Sequence, residues 1–187
     1  MKECSLCQLD AKVDRILELL EGRSVSLIPT NKKPDKKRLR QGIQHDFPHE
    51  NLRRWGCYFF ALMRWAEEIR NCGFEENEII PLFNLAQRQT MPNPNGDGSR
   101  IPIVNSNSFI NDPVRVLNFL AERDVVSRVR LWTNDGSHPT PGEKIFVMRE
   151  KQSANLAHFV LIIKGKRWDS LLPVSPPRNQ AGFRVLV

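Results

Sequence analysis

Residues 55–69 read WGCYFFALMRWAEEI, the most hydrophobic stretch of the chain. Its polar positions Arg64, Glu67 and Glu68, continued by Asn71, recur at helical spacing along one narrow stripe. The rest of the circumference is apolar. A helix with that pattern is covered on most sides, so the stretch predicts a central core helix over 57–70. Gly56 precedes it and Cys57 falls in its first turn.

Working outward, a second helix is expected over Glu76–Gln87, disturbed by Pro81. MPNPNGDGSRIP at 91–102 reads as a loop. Asp112 followed by Pro113 marks a helix start, and Val114, Leu117, Leu120 and Ala121 carry that helix to about Arg123. The last third is strand-like: Val125–Trp132, Lys144–Arg149, Ala157–Ile163, Lys166–Trp168 and Phe183–Val187. Asn134-Asp135-Gly136 is a turn signal, and Lys164-Gly165 suits a tight hairpin. Helices first and antiparallel strands after predict an α+β fold with segregated layers, the helix 57–70 packed on a C-terminal antiparallel sheet.

On the N-terminal side, Leu6, Leu9, Val13, Ile16 and Leu20 form an a/d seam, which predicts an amphipathic helix over 1–22. Barely two heptads do not hold a lone coiled coil. The seam therefore packs on the domain, on a partner, or on a second copy of itself. Residues 23–40 hold seven cations and one Asp, which accounts for nearly all of the chain's net charge of +7. With two prolines and few large apolar residues, 23–41 reads as a solvated basic linker, or as an arm in which Lys32, Lys33, Lys36, Lys37, Arg38 and Arg40 contact nucleic acid or another polyanion by charge alone. The composition changes at Gly42. A folded unit is expected over 42–187, with residues 1–40 dispensable for its folding.

At 187 residues the chain suits one domain with an appendage. No apolar run approaches the roughly 20 residues that span a bilayer, and MKECSLCQLD lacks a signal-peptide pattern. Ten Gly and four Cys exclude collagen-like and disulfide-scaffold classes. Cys4 and Cys7 form a lone C-x-x-C; with His45 and His49 they would make a four-ligand zinc set, but across a gap far longer than a zinc finger's. The expectation is no metal and no cofactor.

Chemistry gathers around Cys57. A thiol attacks as its thiolate, and the first turn of a helix offers free N–H groups and a favourable dipole to a negative charge. His158 opens the strand run AHFVLII, and Asp169 follows the hairpin in KRWDSL, so the two lie near one end of that hairpin. A base next to the thiol, oriented by a carboxylate, completes a nucleophile–base–orienter set. Gln44, thirteen residues before Cys57, is the candidate to pair its amide with the Cys57 backbone N–H around an oxyanion; Gln41 is the weaker choice.

In that order, Gln44, Cys57, His158 and Asp169 resemble the papain-like cysteine peptidases. IQHD…GCYFFAL is similar to the opening of the bacteriocin-leader-processing type peptidases, and AHFVLIIKGKRWDSL to their H-F-V…D hairpin. GCYFFAL, HFVLI and WDSL, with the terminal FRVLV, resemble more closely an uncharacterised spirochaete-type family found also in phages. The resemblance covers about residues 42–187. It implies a papain-like fold, a Cys57–His158–Asp169 triad, a peptide or protein substrate, and a place in the cytoplasm of a bacterial or phage-infected cell. Three functions follow: a thiol peptidase acting on peptide or isopeptide bonds, a phage-type peptidoglycan amidase or endopeptidase, and a non-catalytic adaptor that uses its seam and basic arm.

Overall fold

The computed structural model describes residues 36–132, 142–151, 157–172 and 180–187. The Leu6–Leu20 seam, Cys4 and Cys7, Lys32 and Lys33, and the Asn134-Asp135-Gly136 turn lie outside the described residues. Among the described residues four helices come first: α1 (Glu50–Trp55), α2 (Cys57–Arg70), α3 (Glu76–Arg88) and, after a small hairpin of β1 (Thr90–Pro92) and β2 (Arg100–Pro102), α4 (Pro113–Ala121). Five strands follow: β3 (Val129–Trp132), β4 (Ile145–Lys151), β5 (Ala157–Ile163), β6 (Lys166–Trp168) and β7 (Gln180–Leu186). The class is α+β, with helices joined to antiparallel sheets.

Eleven of the fourteen residues of α2 are buried, which makes it the central helix. Arg64 and Glu68 of the predicted stripe stay partly exposed and pair with each other at 2.7 Å, whereas Glu67 is fully buried. The helix packs on α4 and β5. Phe59 meets Phe83 of α3 edge-on at 5.3 Å, and Phe60 meets Phe47 at 5.2 Å. Asn71, in the left-handed region at φ 52°, ends the helix. Asp112 caps α4 by accepting from Arg115 N–H at 3.0 Å, with Pro113 in the first turn.

Two expectations need correction here. Pro81 does not disturb its helix: α3 runs through to Arg88. Pro81 and Asn77, whose carbonyl loses its ladder donor, are both exposed, so water can satisfy that oxygen. The 91–102 loop also carries a short ladder, with Thr90 opposite Pro102 and Pro92 opposite Arg100, because the Asn93–Ser99 turn brings its two ends together.

The main sheet has the order β3-β7-β4-β5-β6, antiparallel throughout. Lys164 (φ 50°) and Gly165 (φ 77°) make the two-residue β5–β6 turn, both at positive φ as a tight hairpin requires. Val147 of β4 faces Leu161 of β5, which faces Trp168 of β6; all three belong to the core under α2.

The boundary drawn at Gly42 also needs correction. Leu39 is buried, its N–H bonds to both Glu67 carboxylate oxygens at 3.0 and 3.1 Å, and its carbonyl accepts from Trp168 Nε1 at 3.2 Å. Lys36 pairs with Glu78 at 2.9 Å, Arg38 with Glu68, and Arg40 with Asp46 at 2.7 Å. A Cβ on Gly73 would sit 2.5 Å from the Lys37 carbonyl oxygen, so this stretch lies directly against the turn after α2. Residues 36–40 are therefore packed on the helical layer. Their cations neutralise its carboxylates and do not form a solvated arm; Lys37 alone among the four cations is exposed with no ion pair among the described residues. Charge composition could not reveal this, because most of the complementary acids come from α2 and α3.

Candidate active site

α1 and α2 meet at Gly56 in a near-continuous run, and the join places the thiol. Gly56 N–H still bonds back to Leu52 O at 2.9 Å, but the next carbonyl, Arg53 O, accepts instead from Gln44 Nε2 at 3.2 Å. The first bond of the new helix runs from Phe60 N–H to Gly56 O at 2.9 Å. Cys57 N–H consequently has no hydrogen-bond partner among the described residues, and Cys57 opens a helix with the orphan donors of a true N-terminus. The glycine is required by close approach: a Cβ there would lie 2.5 Å from Leu52 O.

Cys57, His158 and Gln44 line one cleft of about 900 Å³. Asp169 stands behind His158, fully buried, with its Oδ1 2.7 Å from His158 Nε2. Cys57 lies close enough to His158 in the same cleft to favour its charged form. Burial opposes the imidazolium, but the bonds and charges of Asp169 and Cys57 outweigh it and push His158 up to about 9. Burial also works against the Asp169 carboxylate. His158, the Leu171 N–H at 2.8 Å and Arg167 overcome it and bring Asp169 down to about 2. At neutral pH the pair is imidazolium and carboxylate.

Sequence reading missed two members of this network. Glu150 on β4 lies directly across from His158 on β5, and Arg167 on β6 is two residues before Asp169. Strand alternation puts Glu150, His158 and Arg167 on one sheet face, and Asp169 follows directly after β6. Arg167 bridges them, bonding Glu150 through both amino nitrogens and Asp169 through one. Two buried carboxylates against one guanidinium leave one negative charge, which a protonated His158 neutralises. The i, i+2 spacing of Arg167 and Asp169 was legible; the Glu150 contact was not, because it depends on strand register. Glu150, His158 and Asp169 also offer ligand atoms within 4.8 Å of one another, but Arg167 already occupies the carboxylate oxygens that a cation would take.

Gln44 is buried, with Oε1 accepting from Ser170 Oγ at 2.7 Å. Its backbone N–H pairs with Ser170 O at 2.9 Å, so the residue after Asp169 and the glutamine are tied together. A side-chain amide has two N–H groups; one of Gln44's reaches Arg53 O and the other has no partner among the described residues. Gln41, by contrast, is exposed and does not line the cleft. Lys36, Lys37, Arg38 and Arg40 lie away from the cleft. His49 accepts from Leu52 N–H at 3.4 Å as the cap of α1, while His45 is exposed.

The cleft mouth carries two exposed aromatics, Trp55 at 47% and Phe109 at 65% exposure, whereas most other large apolar side chains among the described residues are covered. No helix among the described residues is long and apolar enough to cross a membrane. Against known proteins, the chain matches no family model, no curated protein and no solved structure.

Proposed function

We propose that this chain is a thiol hydrolase of papain-like arrangement, cleaving a peptide or isopeptide bond through an acyl-enzyme on Cys57. One observation carries the reading: His158 is held by Asp169 at 2.7 Å on one ring nitrogen and stands beside Cys57 in the same cleft, close enough for the two to interact electrostatically. A structural histidine needs no such thiol, and a structural cysteine needs no such base.

The chemistry runs as follows. Cys57 attacks as the thiolate of an ion pair whose proton already sits on the His158 imidazolium; the sulfur bonds the substrate carbonyl carbon, whose π electrons move to oxygen. The Cys57 N–H and the second Gln44 N–H are the donors for that oxyanion. As the carbon–nitrogen bond breaks, His158 gives its proton to the leaving amine and a thioester remains. Water then attacks the thioester, His158 takes its proton, and the carboxylic acid leaves with the Cys57 thiolate and His158 imidazolium restored. Asp169 keeps Nε2–H bound and supports the imidazolium throughout. Trp55 and Phe109 at the mouth offer apolar surface to a peptide's side chains.

The test is labelling with a peptide-like, thiol-reactive electrophile, read site by site. Cys57 is expected to react at least a hundredfold faster than the partly buried Cys72, and His158→Ala to remove most of that advantage. Equal rates at the two cysteines, or indifference to His158→Ala, would sink the hydrolase reading and leave a scaffold of this fold without the chemistry.

A further inference from the structure

Cys57 and His158 share their cleft with a loop, residues 105–109, that the reaction as written does not use. The loop is a tight reversal. Val104 and Ile110 pair across it, Asn105 N–H donates to Phe109 O at 3.0 Å, and Ser108 N–H donates to Asn105 O at 3.0 Å. Asn105 Oδ1 accepts from the N–H groups of Asn107 and Phe109, both at 2.9 Å. Two helices hold the loop from outside: Gln87 of α3 donates to Asn105 O at 3.0 Å, and Asn51 of α1 to Ser106 O at 2.7 Å. Its backbone is therefore fixed before anything binds.

Ser108 stands apart in this loop. Its φ of 63° lies in the left-handed region, where a Cβ is crowded and where reversals of this kind ordinarily place glycine. The residue lines the cleft at 2% exposure, and its Oγ has no hydrogen-bond partner among the described residues. Left-handed strain and an unmatched buried hydroxyl are both unfavourable, and glycine would relieve both. Within the fold the serine side chain brings only costs, so its use lies with the occupant of the cleft. Tyr58 carries another buried hydroxyl on the cleft wall, but the charges of Arg184 and Asp112 act on that one within the protein. A serine hydroxyl both donates and accepts. A peptide's main chain offers it an acceptor and, proline apart, a donor at every residue, whatever the side chain. Phe109, the next residue of the loop, and Trp55 meanwhile offer apolar surface to the side chains.

We propose that the Ser108 hydroxyl binds a main-chain amide of the substrate, so that the cleft holds a peptide by its backbone at this point, independently of the side chain there. The proposal rests on the thiol-hydrolase reading for its substrate class, but binding tests it without turnover.

In the full chain carrying Cys57→Ser, dansyl-labelled octapeptides of Ala and Gln report affinity by anisotropy, with one central Phe to set the register against Trp55 and Phe109. A second set replaces each amide in turn by an ester, which deletes one N–H and weakens one carbonyl acceptor. One ester position should cost about tenfold in affinity. Ser108→Gly and Ser108→Ala should each bind the all-amide peptide about tenfold more weakly and lose the penalty at that position, the signature of a direct pairing. Ser108→Gly should also melt at or above the temperature of its parent, since the left-handed strain is relieved. A serine that only held the loop together would instead lose melting temperature and affinity in step. A hydroxyl bound to a substrate side chain would respond to Gln→Ala peptides and leave all ester positions equal. Either of those results, unchanged affinity in the two variants, an ester penalty that survives them, or no detectable binding would overturn the proposal. Failure of the hydrolase reading is distinguished because it is read on the unaltered thiol, as His158-independent labelling of Cys57, and leaves the ester coupling in place.

Discussion

Asp169 has two cations on its carboxylate, His158 and Arg167, and only one of them faces the thiol. Its charge is therefore a lever on the imidazolium. The raised His158 value contributes stability that is complete below pH 6.5 and is lost as pH climbs through about 9. The lowered Asp169 value contributes stability that is present above pH 3.8 and lost as pH falls through about 2. In the proposed reaction His158 must be protonated to release the amine, so hydrolysis should fall on an alkaline limb near pH 9. Asp169→Asn keeps an acceptor for Nε2–H and removes the charge. The limb should then move by more than one unit towards the ordinary imidazole range, with the rate at pH 8 falling at least tenfold. A pH–rate profile on a peptide substrate reads this. A limb that stays near 9 would mean that Asp169 orients the ring without setting its charge. Glu150 and Arg167 act one step further out, as positioning residues that hold Asp169.

Where two helices meet, one atom decides the geometry of the nucleophile. A methyl group on Gly56 would press on Leu52 O at 2.5 Å and Leu52 Cα at 2.9 Å, both backbone atoms, so α1 and α2 must part. Overpacking of that kind costs about 1–3 kcal/mol. It also displaces Cys57 from His158, and a displacement of about 1 Å can cost a hundredfold in rate. Gly56→Ala should therefore stay folded in denaturant titration while Cys57 labelling slows by more than tenfold; labelling at the unaltered rate would show that the junction does not position the thiol. The elements that proved legible share one property. The helix at 57–70 and the strands 157–163 and 166–168 are specified by local periodicity and by a turn whose residues tolerate positive φ, so their bounds could be read directly. What stayed hidden depends on distant partners. Glu150 joins the site through register with β5, Tyr58 and Arg184 meet only when β7 lies beside β4, and Leu39 is a single apolar residue among cations. Pro81 misled for a related reason: its cost depends on which side of α3 faces water.

At the scale of the whole molecule, the question is where the folded unit begins. Leu39 fills the core beside Trp168, and its N–H is one of two backbone donors on the buried Glu67; the other is Phe74 N–H at 3.0 Å. Burial drives Glu67 up to about 7 against the pull of those donors and of Arg64 and Arg38. A carboxyl whose folded value exceeds its unfolded 4.5 takes up a proton on folding, so stability is highest below pH 4.5 and declines as pH rises through about 7. A chain starting at residue 36 keeps the Leu39 contacts, and one starting at residue 42 loses them together with the Lys36, Arg38 and Arg40 ion pairs. Loss of a buried leucine and two charge-assisted bonds should cost about 2–5 kcal/mol. The cost should grow with pH across 4.5–7, because the shortened chain leaves Glu67 with fewer donors to stabilise its ionised form. Glu67→Gln, neutral at every pH, should flatten that dependence in both chains. Urea titrations of the two chains at pH 5 and pH 7.5 measure all of this. Equal stability of the chains at both pH values would return the boundary to Gly42 and make residues 36–40 an ornament of the surface; a gap that widens with pH makes them the first structural element of the domain, clamped to α2 through Glu67.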